Sequence, residues 1–260
     1  MMSDVLSSII EGVREDERNR RLSRAELTER LTAAPAPCDA LNSLRSRSFS
    51  VIAEVKRSSP SKGDLARIAS PESLAQRYAD NGAAVVSVLT EQRRFKGSLA
   101  DFQAVRERVS IPILRKDFMV SEYLIEESRA YGADLILLIV AALDDSQLRD
   151  FYQLATSLGM RSLIEIHDEA ELERAMRIEP EIIGVNSRNL KTLEVSAATF
   201  QRLIPKIPGE IYRVAESGIS GPSDAKFARS FGADAILVGE SLVRASDPGK
   251  ALEQLLSVTD

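Results

Sequence analysis

The chain has 260 residues, of which 44% are hydrophobic and 28% are charged, a length that suits one large globular domain or at most two. Its 34 basic and 39 acidic side chains give a net charge of −5 without a long basic stripe, so we expect no nucleic-acid partner. One cysteine, Cys38, and one histidine, His167, are too few for a disulfide or a zinc site, so we expect no metal and no cofactor.

The beginning of the chain does not resemble a signal peptide. It carries Asp4 instead of a basic run, and its first apolar stretch is interrupted by Ser7 and Ser8. The longest apolar run, 135–143, has nine residues, half of the ~18 that a membrane helix needs. We therefore expect a cytoplasmic protein without a membrane partner.

Residues 1–48 form a segment of their own. Their apolar residues recur at helical spacing among many Arg and Glu, at Ile9, Ile10, Val13, Leu22, Leu27 and Leu31. This pattern predicts two amphipathic helices, and the proline-containing stretch 34–38 predicts a break before a further helical turn at 41–44. We predict a helical extension over 1–48 that caps a catalytic domain of residues 49–260.

The remaining chain alternates short apolar runs with amphipathic, helix-like stretches. Eight candidate strands begin near Ile52, Val85, Ile111, Leu135, Leu163, Ile182, Ile211 and Ala235, with a mean spacing of about 26 residues. Eight βα units in one chain of this length favour a closed α/β barrel, the (β/α)8 TIM barrel, over an open doubly wound sheet. In such barrels the active site lies at the C-terminal ends of the strands.

Polar side chains gather at these predicted strand ends: Glu54, Lys56, Lys116, Glu165, Asn186 and Arg188. Each alone has an ordinary explanation, such as an edge strand with alternating charge or a strand-end lysine whose ammonium reaches water. Glu54 and Lys56 are two residues apart and therefore share one face, the barrel interior. Together the six residues provide acids, a base and anion clamps, which predicts a proton-transfer site.

Two of the ionisable residues carry specific expectations. For Lys116, desolvation and a nearby Lys56 predict a pKa below the ordinary lysine value. For His167, which shares a strand face with Glu165, we expect a structural role at the strand end. A proton shuttle needs a partner that the sequence does not identify.

The last two strands each end in a small turn, Ser217-Gly218 and Gly239-Glu240-Ser241. Either glycine alone is an ordinary turn residue. Loops after strands seven and eight form the common phosphate site of barrels, and glycine lets backbone N–H groups approach an anion. The pair of turns therefore predicts a small phosphorylated substrate.

Seven ordered motifs make the chain similar, from end to end, to the indole-3-glycerol-phosphate synthase family. They are EVKRSSPSKG at 54–63, SVLTE at 87–91, LRKDF at 114–118, LIEIH at 163–167, GVNSRNL at 184–190, ESGI at 216–219 and VGESL at 238–242. The resemblance implies tryptophan biosynthesis, in which 1-(2-carboxyphenylamino)-1-deoxyribulose 5-phosphate becomes indole-3-glycerol phosphate, carbon dioxide and water.

The resemblance also implies catalytic roles. Lys116 would be the general acid for ring closure, and Glu165 the base in the later dehydration. Asn186 and Ser217 would hold these groups and the substrate hydroxyls. Lys56, paired with Glu54, would meet the substrate carboxylate, and the division of proton transfer between Lys56 and Lys116 stays open.

The substrate-binding positions that the resemblance implies are Ser59, Phe95, Phe118, Arg188, Glu216, Gly218, Gly239, Glu240 and Ser241. The serines, the glycines and the backbone N–H of Glu240 would surround the phosphate, and the two phenylalanines would pack on the anthranilate ring. Two positions depart from the family pattern. Arg94 stands where a second aromatic is usual, so a guanidinium would stack there or ring packing would be looser, and Leu124 replaces a frequent Gln.

Two other functions fit the residues. One is a Schiff-base aldolase in which Lys116 or Lys56 attacks a phosphosugar. The other is a barrel that binds a phosphorylated ligand without catalysis, which should lack an acid or a base. We expect a monomer or a weak homodimer.

Overall fold

The computed structural model describes residues 5–190 and 192–258. Its centre is a closed barrel of eight parallel strands: β1 Ser50–Val55, β2 Val85–Leu89, β3 Ile113–Lys116, β4 Leu135–Ile139, β5 Arg161–Ile166, β6 Ile182–Asn186, β7 Tyr212–Glu216 and β8 Ala235–Val238. Neighbours in the chain are neighbours in the barrel, and β1 closes the ring by pairing with β8, where Ala53 lies opposite Val238. The prediction of an eight-stranded (β/α)8 barrel is confirmed.

The strands are covered on both faces, as parallel strands require. Almost every strand residue is buried, and side chains alternate between the barrel interior and the outer helical layer. The helices are α1 Val5–Arg20, α2 Arg24–Ala33, α3 Ala40–Arg45, α4 Pro71–Asp80, α5 Leu99–Arg108, α6 Glu122–Ala130, α7 Asp145–Ser157, α8 Glu169–Met176, α9 Ala198–Leu203, α10 Pro222–Ser230, α11 Glu240–Arg244 and α12 Pro248–Leu256.

Side-chain caps fix where several of these helices begin. Ser70 accepts a hydrogen bond from the backbone N–H of Ser73 at the start of α4, and Asp168 accepts one from Glu171 at the start of α8. Such caps satisfy backbone donors that have no partner within the helix. They orient each helix directly after the loop that leaves the barrel mouth.

The N-terminal extension runs along the outside of the barrel instead of staying at the mouth. Its first helix, α1, lies beside the C-terminal strand ends, where Val5, Leu6 and Ile9 contribute to a cavity with Phe95 and Phe118. The hydroxyl of Ser43, in α3, donates to the carbonyl of Ala84 just before β2, and Tyr212, at the start of β7, donates to the carbonyl of Leu44. These contacts place α3 at the N-terminal ends of the strands, whereas α1 lies at the C-terminal ends.

A buried ion network ties the extension to β3. Arg115 is fully buried, and its guanidinium lies 2.9 Å from Glu127 on α6. The same Glu127 carboxylate is 3.0 Å from Arg20 at the end of α1. Since Arg115 precedes Lys116 in the strand, α1 is anchored beside the strand that carries a candidate catalytic lysine.

Within the described ranges, no helix is both long enough and apolar enough to cross a membrane.

Candidate active site

A cavity of about 430 Å³ opens at the C-terminal ends of the strands. It is lined by Glu54, Lys56, Ser59, Lys62, Lys116, Arg188, Val195, Glu216, Ser217, Gly218, Ile219, Ser220, Leu237, Val238, Gly239, Glu240, Ser241 and Arg244. Strand-end residues therefore meet the loops after β1, β6, β7 and β8 in one space. Most of the residues predicted from the sequence lie on its wall.

The centre of the site is a lysine between two buried carboxylates. The ammonium of Lys116 lies 3.4 Å from Oε2 of Glu165 and 3.3 Å from Oε2 of Glu216. Burial disfavours the charged lysine, but the carboxylates of Glu216 and Glu165 outweigh it and hold the pKa of Lys116 above its ordinary value. The expectation of a lowered Lys116 pKa is wrong, because it considered desolvation and Lys56 but not these two carboxylates.

The pKa values of the two carboxyl groups around Lys116 are shifted in opposite directions. Burial favours the neutral form of both, and Lys116 and then His167 reverse this for Glu165, whose pKa lies well below its ordinary value. Burial and the nearby charge of Glu165 outweigh the attraction of Lys116 for Glu216, whose pKa rises to about 8. Of the two carboxyl groups that contact Lys116, Glu165 is therefore the more acidic, and Glu216 keeps its proton to a higher pH.

A glycine on the neighbouring strand makes room for Glu216. A Cβ atom on Gly184 would lie only 2.0 Å from Oε1 of Glu216. Gly184 belongs to one of the sequence motifs, but the sequence gives no indication of which side chain needs the space. The carboxyl group of Glu216 is thus built into the barrel interior next to the Lys116–Glu165 pair.

A second lysine-carboxylate pair lies at the end of β1. The ammonium of Lys56 is 2.6 Å from Oε1 of Glu54, which confirms the predicted pairing. Asn186, at the end of β6, lies beside Glu165 and hydrogen bonds to it, an interaction that favours the ionised carboxylate. Its Oδ1 also accepts the backbone N–H of Arg188, which fixes the start of the loop after β6.

The loops after β7 and β8 form the other end of the cavity. Ser217, Gly218 and Gly239 face it together with Ser59, and the hydroxyl of Ser241 donates to the carbonyl of Ile219, which joins the two loops. Lys62 and Arg244 line this cavity as well, and the sequence did not single them out. Both are cations, and only the fold shows that they line the same cavity as the two glycine turns.

An apolar wall lies next to the main cavity. The rings of Phe95 and Phe118 are 6.4 Å apart and tilted by 41°. With Val5, Leu6 and Ile9 of α1 they line a smaller cavity of about 60 Å³. This arrangement supports a binding position for a flat apolar ring, covered by α1.

The loop that carries Phe95 is held by a buried carboxylate. Glu91 accepts backbone hydrogen bonds from Arg93, Arg94 and Phe95 at 3.0, 2.7 and 2.9 Å. Arg94 does not lie over the ring cavity. Its guanidinium donates to the hydroxyl of Ser8 at 3.1 Å, so this departure from the family pattern links the loop to α1. The other departure, Leu124, is fully buried in the core.

Arg188 lies between the two cavities and lines both. Its guanidinium donates to the hydroxyl of Ser61 and to the carbonyl of Leu193, at 3.0 and 2.9 Å. The loop after β1 and the loop after β6 are therefore joined across the mouth by one side chain. The positive charge of Arg188 faces the space between the apolar wall and the two lysines.

His167 has partners that the sequence did not reveal. Its Nε2 lies 3.4 Å from Oε1 of Glu165, and its Nδ1 lies 2.9 Å from Oε2 of Glu171. Among the residues that the structure describes, no group of three or more His, Cys, Asp and Glu side chains is arranged to hold a metal ion.

The fold and this set of side chains define a barrel enzyme for proton-transfer chemistry on a small phosphorylated molecule. The family model for indole-3-glycerol phosphate synthase matches residues 6–255, and the chain belongs to that family. Its relatives include the indole-3-glycerol phosphate synthase of Streptomyces griseus, 55% identical over 97% of this chain and 95% of that protein, and indole-3-glycerol phosphate synthase 1 of Streptomyces coelicolor, 54% identical over the same shares. The enzyme of Mycolicibacterium smegmatis is 53% identical, with 97% and 94% covered.

A solved structure with low sequence identity is similar in fold. The thiamine phosphate pyrophosphorylase of Pyrococcus furiosus superposes with a TM-score of 0.62 at 16% identity, covering 83% of this chain and 96% of that one. At this identity the similarity concerns the barrel alone. The predicted fold, family and carbon-carbon lyase class are confirmed.

Proposed function

We propose that this site carries out the indole-3-glycerol phosphate synthase reaction with Lys116 as the acid for ring closure and Glu165 as the base for dehydration. The observation that carries the proposal is the contact between them inside the barrel mouth, where the Lys116 ammonium lies 3.4 Å from the Glu165 carboxylate. At neutral pH the raised pKa of Lys116 and the lowered pKa of Glu165 leave Lys116 as an ammonium and Glu165 as a carboxylate, the forms that an acid and a base need. The same shifts make Lys116 a weaker acid and Glu165 a weaker base, so transfer depends on the substrate changing their surroundings.

The substrate spans the two cavities. We place its phosphate at the turns of Gly218 and Gly239, with the hydroxyls of Ser59 and Ser241 and the backbone N–H of Glu240. Its aromatic ring packs against the wall formed by Phe95 and Phe118. Anchoring both ends folds the sugar chain between them so that the ring carbon lies close to the ketone. The entropy lost in bringing these two atoms together is then lost on binding and does not add to the barrier of the reaction step.

Ring closure and decarboxylation follow at the centre. The ring carbon that bears the carboxylate attacks the ketone carbon while Lys116 donates a proton to the ketone oxygen. The bond to the carboxylate then breaks, carbon dioxide leaves, and the electron pair restores the aromatic ring. Lys56 holds the carboxylate before it leaves, with Glu54 fixing the lysine at 2.6 Å and Arg188 adding positive charge.

Dehydration completes the reaction. The new hydroxyl takes a second proton, from Lys56, and leaves as water, and Glu165 accepts the proton that the new ring loses. Two protons are donated and one is returned, so one net proton enters from solvent in each turnover. Asn186 and Ser217 hold Glu165 and the substrate hydroxyls, and the Glu216 carboxyl group lies beside Lys116 as a substrate-binding group.

Three broader points are also proposals. Residues 1–48 act as a helical extension and residues 49–260 as the catalytic barrel, although the core residues of α1, α2 and α3 pack into the same core as the strands. We further propose a cytoplasmic enzyme without a cofactor that works as a monomer or a weak homodimer. Gel filtration at several protein concentrations tests the last point.

A turnover assay with the carboxyphenylamino deoxyribulose phosphate, followed by the fluorescence of the indole product, tests the proposed function. We expect turnover that EDTA does not change, and a Glu165→Gln variant that binds substrate within a few-fold of the wild type while turnover falls by about 10² or more. Wild-type turnover in that variant would refute the role of Glu165. Trapping of substrate on a lysine by borohydride would instead favour the aldolase alternative.

A further inference from the structure

The proposed mechanism makes no use of His167, the one histidine of the chain. This residue follows β5 directly, and its side chain is nearly buried, with 12% of its surface exposed. The imidazole lies between two carboxylates from different elements. Glu165 belongs to β5 and faces the reaction centre, and Glu171 belongs to α8 on the outside of the barrel.

Glu171 holds the imidazole in one orientation. Its Oε2 atom accepts hydrogen bonds from both the backbone N–H of His167, at 2.8 Å, and ring Nδ1, at 2.9 Å. Glu171 is itself fixed at the start of α8, because its backbone N–H donates to the capping carboxylate of Asp168. With Nδ1 committed to Glu171, Nε2 is the ring atom directed at Glu165.

The two oxygens of Glu165 face different cations. Oε1 lies 3.4 Å from Nε2 of His167, and Oε2 lies 3.4 Å from the ammonium of Lys116. A carboxylate that is free to rotate about its last bond would present either oxygen to the substrate. Here Oε1 faces His167, and Oε2 faces the ammonium of Lys116, a residue that lines the cavity.

We propose that His167 is a positioning residue for Glu165: its Nε2 forms an ion pair with Oε1 across 3.4 Å, so that Oε2 is the oxygen that accepts the substrate proton. This inference rests on the proposed role of Glu165 as the base. Because Lys116 loses its proton to the substrate during ring closure, His167 is the cation that still holds Glu165 when dehydration begins.

The charges around the imidazole favour its protonated form. Burial lowers the pKa of His167, but hydrogen bonds and charge from Glu165 and Glu171 outweigh this and raise it to about 10. Lys116 and Glu216 face Glu165 from β3 and β7, and the guanidinium of Arg202 lies 3.4 Å from the backbone oxygen of His167. The imidazolium therefore favours the ionised form of Glu165, and its removal should raise the pKa of that carboxylate.

Three variants separate the contributions of the ring. His167→Phe keeps a flat ring without donors, His167→Gln keeps a neutral donor near the position of Nε2, and Glu171→Gln keeps an acceptor without charge. For His167→Phe we expect kcat to fall about 10-fold or more while KM stays within about threefold. In the pH profile of kcat, the acidic limb should move up by about one pH unit. His167→Gln should recover most of kcat but not the position of the acidic limb.

The single histidine permits a direct measurement on the wild-type protein, prepared without a histidine tag. Nuclear magnetic resonance of protein labelled at histidine should show one imidazole that stays protonated beyond pH 8, and Glu171→Gln should lower its pKa. An imidazole that titrates near the ordinary value of 6.5 would overturn the inference. This readout needs no activity and no substituted His167, so a variant that fails to fold does not prevent the test.

Kinetics distinguish failure of this inference from failure of the proposed function. If Glu165→Gln retains wild-type turnover, the base itself has been misassigned. If Glu165→Gln loses turnover while His167→Phe keeps kcat within twofold and an unmoved acidic limb, Glu165 is the base and His167 does not position it.

Discussion

A Cβ atom on Gly239 would lie 2.5 Å from Oε1 of Glu54, the same oxygen that lies 2.6 Å from the ammonium of Lys56. The turn after β8 and the lysine-carboxylate pair after β1 are therefore packed against each other. A glycine expected to approach a phosphate has a second effect, because its missing side chain leaves room for Glu54.

The first prediction follows from this contact. Gly239→Ala should displace the Glu54 carboxylate and loosen its pairing with Lys56, lowering kcat/KM about 10-fold or more. The backbone φ of Gly239 is −127°, so alanine there does not need a left-handed conformation, and the contact with Glu54 is the expected cause. Gly209→Ala is the matched control, since a Cβ there meets no atom within 4 Å. Equal activity of both variants would contradict the prediction.

A second prediction concerns the stability of the buried carboxyl group of Glu216. Its pKa in the folded protein is raised from 4.5 to about 8, so the folded state binds more protons than the unfolded chain between these values. This contribution to stability is complete below pH 4.5 and is lost as the pH rises through about 8. Glu216→Gln removes the titration and should therefore gain stability relative to the wild type with rising pH.

Thermal melting at pH 6 and pH 8.5 measures this effect. We expect the difference between variant and wild type to grow by about 2 kcal/mol or more, or several degrees in the melting temperature, toward the higher pH. A difference that is the same at both pH values would show that Glu216 has the same protonation state throughout.

The third prediction separates the parts of the N-terminal extension. A chain that begins at Leu22 lacks α1 and with it Val5, Leu6 and Ile9 of the ring cavity, so KM should rise about 10-fold while the circular dichroism stays that of a folded barrel. A chain that begins at residue 46 also lacks the fully buried Leu44 and should not fold. An unchanged KM in the shorter truncation would show that α1 does not cover the substrate.

The fourth prediction concerns the anion end of the cavity. Inorganic phosphate should inhibit competitively, because the turns of Gly218 and Gly239 bind the phosphate group whatever is attached to it. Lys62→Gln and Arg244→Gln should each raise the inhibition constant a few-fold, since both cations line this end. Lys250→Gln on α12, away from the cavity lining, serves as the control. Non-competitive inhibition would place the phosphate site elsewhere.

Much of the site can be predicted because successive side chains of a strand alternate between its two faces, so the position of a residue in the strand fixes its face. Glu54, Lys116 and Glu165 each lie two residues from an apolar neighbour on the same face, and this is enough to place them inside the barrel. Parity gives no distances across the barrel. For that reason the sequence predicts the wrong direction for the pKa of Lys116, which depends on carboxylates from β5 and β7.

Other features depend on contacts between elements that are far apart in the chain. The path of the extension could not be predicted, because amphipathic spacing identifies the buried face of α3 but not the end of the barrel that it covers. The pairing of His167 with Glu171 has a helical spacing of four residues, but the sequence does not show that the same ring reaches Glu165. Lys62, from the loop after β1, and Arg244, from helix α11 after β8, line the same cavity, which only the fold shows.

The central claim is that Lys116 donates the proton for ring closure, and the most direct test compares Lys116→Met with Lys56→Met. Methionine keeps an apolar chain of similar length and removes the ammonium. We expect Lys116→Met to stay folded and to bind substrate within a few-fold of the wild type while kcat falls by about 10² to 10⁴. Lys56→Met should weaken substrate binding as well, because Lys56 holds the carboxylate. If Lys116→Met retains even a tenth of the wild-type kcat, with kcat and the substrate dissociation constant measured separately, Lys116 is not the acid.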